Sequence, residues 1–83
     1  MANKVYTLVT KNEEDAIVDI ENFYQLENAR TRMKSNLSRE IRNANDEGYL
    51  KIVADITDFS ARVRYGDLGD LGYTWFIVKS SIE

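Results

Sequence analysis

The sequence predicts an α+β fold, a single antiparallel β-sheet with one long helix packed on one face, in the order β-β-α-β-β-β. Three observations predict it. A stretch near residues 23–46 repeats its apolar residues every three or four positions. The segments on either side are β-branched, aromatic or alternating. The chain has only 83 residues. A chain of that length buries only about 60% of the surface its unfolded form exposes, which leaves room for one thin core.

The N-terminal hairpin comes first. Val5 to Thr10 reads as a strand, Lys11 to Asp15 as a polar turn, and Ala16 to Glu21 as a second strand. Two strands so close in sequence pair antiparallel. The helix follows, at about residues 23–46. Phe23, Leu26, Ala29, Met33, Leu37, Ile41 and Ala44 form its apolar stripe. Asn22 is placed to cap its first amides, with Gln25 three positions on as in a capping box. Gly48 is placed to take the left-handed position after its last turn. Arg30 and Glu40 interrupt the stripe. They either snorkel to water at its edge, or Arg30 reaches a carboxylate such as Asp19, Glu21 or Asp55.

After Gly48 the period changes to two. Leu50, Ile52, Ala54 and Ile56 alternate with Lys51, Val53, Asp55 and Thr57, and Phe59, Ala61, Val63 and Tyr65 alternate with Ser60, Arg62 and Arg64. The segment from Gly66 to Gly72 holds three of the four glycines and reads as a flexible hairpin loop. Tyr73 to Val78 is the last strand, apolar on both sides. No internal repeat or linker divides the chain, so residues 1–83 are read as one domain.

Composition narrows the function. The chain has no Cys, His or Pro. Without Cys there is no disulfide framework, thiolate metal site or thiol nucleophile. Without His, the commonest general base and the Ser-His-Asp arrangement are missing. There is no glycine-rich phosphate loop. The expectation is a protein that is not an enzyme and needs no cofactor or metal. Asp67 and Asp70 lack the ligand count of a calcium loop. A residual catalytic reading would use Asp55 and Asp58 with Arg62 or Arg64. No apolar run is long enough to span a bilayer, and Met1 to Lys4 lacks the apolar stretch of a secretory signal. The chain reads as cytoplasmic.

Three surfaces are candidates for function. The first is the two-sided last strand, with Tyr73, Trp75 and Ile77 on one side and Phe76 and Val78 on the other. One helix covers one face of a sheet. The other face, to which Val53 and either Val5 or Tyr6 would belong, needs the N-terminal segment, a second subunit or a partner to cover it. Tyr73, Trp75 and Phe76, with Leu68 and Leu71 of the glycine loop, are therefore the expected partner-binding residues. A protein partner is expected, together with a homodimer through the last strand or the sheet face.

The second surface is basic. Residues 23–45 carry a surplus of three positive charges in a chain of net charge −3. Arg32, Arg39 and Arg42, supported by Arg62 and Arg64, make nucleic acid the alternative partner. The third is a scatter of acidic turn residues, which backbone preference alone explains.

The leading reading is a small, non-catalytic interaction protein of the accessory, regulatory or inhibitor type, self-associating through its sheet. Its size and lack of catalytic equipment suit the accessory proteins carried by bacteria, phages and plasmids. A sensor or sequestering protein for a small ligand, with a pocket at a dimer seam, is a further alternative.

Overall fold

The structure of the protein, a computed structural model, describes residues 3–82. Five strands and one helix follow in the expected order: β1 (Asn3–Asn12), β2 (Ile17–Phe23), α1 (Leu26–Asp46), β3 (Ile52–Ile56), β4 (Ser60–Tyr65) and β5 (Leu71–Ile82). All strand pairs are antiparallel, in the order β2-β1-β5-β4-β3. β5 therefore lies at the centre, between the N-terminal hairpin and the C-terminal meander. Its partnership with β1 joins the two halves of the chain through ten residue pairs, from Asn3↔Ile82 to Asn12↔Tyr73.

The helix lies on one face. Ala29, Met33 and Leu37 of α1 meet Leu8, Ala61, Val63, Trp75 and Ile77 of the sheet. Trp75 is the largest fully buried side chain, at 1% exposure. Ala29 and Ala61 are small, and lie buried in the same cluster. Small residues there let helix and sheet approach while the indole fills the layer between them. Tyr6, Phe23, Leu26, Ile41, Ile52, Tyr65 and Tyr73 pack around this centre, each partly buried.

Several boundaries differ from the sequence reading. α1 starts at Leu26, because β2 keeps its pairing with β1 as far as Phe23↔Tyr6. Phe23 thus joins the core from a strand. Asn22 does not cap the helix: its Oδ1 accepts a hydrogen bond from Thr7 Oγ1 at 2.7 Å. The N-cap position is Gln25, in extended conformation and with no side-chain cap bond. The C-terminal reading holds. Gly48 has φ +93°, its N–H donates to Asn45 and the Tyr49 N–H donates to Ala44, the two bonds of a Schellman motif.

Leu50 does not belong to β3, which begins at Ile52, and it is fully exposed. Phe59 precedes β4, although its carbonyl accepts from the Ile77 N–H at 2.8 Å. The glycine loop is shorter than expected, because β5 begins at Leu71. Gly72 is a strand residue with φ +140°, and a Cβ there would stand 1.9 Å from the Val63 carbonyl oxygen. That position tolerates only glycine.

Arg30 pairs with Asp58 in the β3–β4 turn, and with none of the three carboxylates expected for it. The contact straps the helix to the turn from outside, where an exposed ion pair adds little stability. Glu40 sits at the edge of the stripe with its side chain 17% exposed, 3.6 Å from Arg39 Nε.

Candidate interaction surface

The strand registers sort every sheet residue onto one of two faces, because side chains alternate along a strand. Tyr73, Trp75 and Ile77 face the helix, together with their partners Val63, Ala61 and Leu8. The opposite face has no layer over it among the described residues. Its central row crosses four strands: Ile20 of β2, Val9 of β1, Phe76 of β5 and Ser60 of β4 stand in register. Val78 follows beside Thr7, and Ile17 stands opposite Lys11.

Ile20 is 56% exposed, and Ile17, Val53 and Val78 are exposed to a similar degree. Val9 is only 7% exposed, sheltered by its register neighbours on both sides. Lys11 places its Nζ 5.5 Å from the centre of the Phe76 ring, a cation–π contact.

Charge on this face is largely satisfied within it. Lys11 pairs with Asp15 at 3.2 Å, and Arg62 with Asp55 at 3.7 Å. Arg64 turns its guanidinium onto neutral acceptors, the carbonyls of Val63 and Tyr73 and the Thr74 hydroxyl. At the β3–β4 end, Val53, Arg64 and Lys51 line a hollow with Leu68. Leu68 itself is 88% exposed at the tip of the loop.

The expected partner-binding residues are therefore divided. Phe76 lies on the uncovered face, and Leu68 at one end of it. Trp75 is a core residue under the helix and Tyr73 packs against it, ring centres 5.9 Å apart. Trp75 is closed to a partner, and Tyr73 is partly buried on the helix side rather than on the uncovered face. Leu71 is no loop-tip residue: it opens β5 opposite Tyr65 and is partly buried.

The basic helix ridge is also divided. Arg32 reaches Glu21 of β2 at 3.3 Å, and Arg39 contacts Glu40. Arg42 stays exposed. Arg62 and Arg64 lie on the sheet face away from the helix, so the five arginines form no continuous track.

The residual catalytic grouping is not assembled. Asp58 is held by Arg30 of the helix, whereas Asp55 is held by Arg62 on the open face. Among the described residues no three His, Cys, Asp or Glu side chains group as metal ligands. Among them, too, no helix is long and apolar enough to cross a membrane.

Two tyrosines have perturbed acidity. Burial raises the Tyr65 phenol above its ordinary value, and the neighbouring Tyr73 and Glu40 add to the effect. Burial raises Tyr73 likewise, with Glu40 again contributing. Both stay neutral at physiological pH, as members of the helix-side layer.

Ile17 and Ile20 are exposed residues of this face that the sequence reading missed, and so is Val9, the buried residue between Ile20 and Phe76. Ile17 and Ile20 differ in parity, so strict alternation would place them on opposite faces. The register shift between Thr10 and Lys11 brings them to the same face. For Val9, its even spacing from Val5 was the available signal.

Comparison with known proteins returns no matching family model, no matching curated protein and no matching solved structure.

Proposed function

We propose that this is a non-catalytic interaction protein that binds another macromolecule through the uncovered face of its sheet. The observation that carries the reading is the composition of that face. Ile17, Ile20 and Val78 are each about half exposed near Phe76, and Val53 is exposed at the far β3 end, all on the face opposite the one helix among the described residues. Exposed apolar side chains that stand together on an uncovered sheet face are a common feature of contact sites. Of the charges that bound the area, Lys11 and Arg62 are paired with Asp15 and Asp55 and Arg64 is turned onto neutral acceptors, which suits a surface whose binding rests on apolar burial. The accessory, regulatory or inhibitor role belongs to this same proposal, because such proteins act by occupying a partner.

The test is affinity capture from cell lysate with tagged protein, with and without nuclease, comparing wild type with Val53→Asp/Leu68→Asp. The expected outcome is a protein partner that survives nuclease and is lost with the double variant. Partners that vanish with nuclease transfer the function to nucleic acid. A nuclease-resistant partner that the double variant keeps removes the Val53–Leu68 end of the open face from the account.

A further inference from the structure

The uncovered face is not uniform. Its β2-β1-β5 half is apolar around Val9 and Phe76. Its β4-β3 half carries Arg62, Arg64 and Asp55. We infer that the apolar half is occupied by a second copy of the chain, stacked sheet to sheet about a two-fold axis near Val9 and Phe76. This deepens the interaction reading, since it assigns part of the proposed surface to self-association and leaves the Val53–Leu68 end to a different partner.

Charge and size support this occupant. A two-fold interface sets a patch against itself, so any net charge in the patch would meet its own sign. The apolar half meets that condition. Its one cation, Lys11, is paired with Asp15, and its polar pair, Thr7 and Asn22, is hydrogen-bonded internally. Among the described residues of this half, no unpaired charge is left to repel an identical copy. The cationic Arg64, which has no carboxylate partner among the described residues, lies outside this half. Isologous stacking on β1 and β5 places β4 and β3 of each copy to the side.

The β1–β5 ladder runs ten residue pairs, about 33 Å at strand rise, and three strands span about 14 Å. The projected area of this half is then roughly 450 Å², about half the area per partner of a standard stable interface. An interface below the standard size makes association that depends on concentration the property to measure. Two sheets aligned in this way pack about 10 Å apart, with Ile20, Val9, Phe76 and Val78 of both copies forming the middle layer.

The test is sedimentation velocity on the untagged full chain, from about 1 μM to about 500 μM, where mass action moves a weak dimer from dissociated to associated. Wild type is expected to double in apparent mass across that range. Ile20→Glu is expected to remain monomeric throughout, with unchanged circular dichroism and an unchanged melting temperature at the lowest concentration. Val53→Glu, on the other half of the same face, is expected to dimerise like wild type. A wild type monomeric at every concentration overturns the inference, and so does dimerisation that Ile20→Glu leaves intact. A loss of dimer in Val53→Glu overturns the division of the face. Should Ile20→Glu fail to fold, Val78→Glu replaces it with the same expectation. The interaction reading is checked separately, because monomeric Ile20→Glu should still capture the partner. If it captures nothing and wild type does, the partner site is the apolar half and the second copy is not its occupant.

Discussion

The two half-buried phenols are where single residues make the account measurable. Tyr65 and Tyr73 both have acidities raised by burial first. A group whose folded-state pKa lies above its unfolded value holds its proton more tightly when folded. Its contribution is then complete below the ordinary phenol value of about 10 and is lost as the pH climbs through the raised value. Urea midpoints from about pH 8 to about pH 11 should therefore fall with pH. The double variant Tyr65→Phe/Tyr73→Phe should fall less steeply. An identical slope in wild type and variant would show that neither phenol is coupled to folding. Trp75 makes a related point about single residues. Its type suited a binding anchor, but its position at 1% exposure makes it the centre of the core.

At the scale of elements, the helix carries a correctable flaw. Its N-cap position is extended, as capping requires, but Gln25 makes no side-chain bond to the free amides. Gln25→Asp should supply that bond and a favourable charge at the N-terminus. The expected gain is about 0.5–1 kcal/mol, read as a higher urea midpoint at unchanged slope. No gain would mean that these amides are already satisfied.

Much of the element order was legible in the sequence, because periods of 3.6 and 2 follow from burial of one side of an element. The Gly48 stop was legible too, since few residues other than glycine accept φ +93°. The N-terminal boundary was not. Pairing with β1 extends β2 through Asn22 and Phe23, and a long-range ladder outweighs local capping chemistry. The lengths of β1 and β5 were hidden for the same reason. Lys79 and Ser80 do not look like strand residues, but the ladder with Tyr6 and Val5 carries them. The candidate surface was legible in part. Phe76 and Val53 follow from alternation, whereas Ile17 and Ile20 share a face only through a register shift that has no clear mark in the sequence.

At the scale of the whole molecule, one helix and five strands make two layers, and two layers cover one face of a sheet. Among the described residues no second helix lies over the other face. The chain leaves exposed there the kind of side chain a core contains. Everything proposed about function rests on that asymmetry. The absence of native cysteine allows it to be measured cleanly. Single variants Ile20→Cys and Val53→Cys on the open face, and Met33→Cys under the helix, can be labelled with a maleimide at about 1 μM, where a weak dimer is dissociated. The account predicts that Ile20→Cys and Val53→Cys react at nearly the rate of unfolded chain, while Met33→Cys is protected until the protein unfolds. Protection of the first two equal to that of Met33→Cys would contradict it, because the face would then be covered within the single chain.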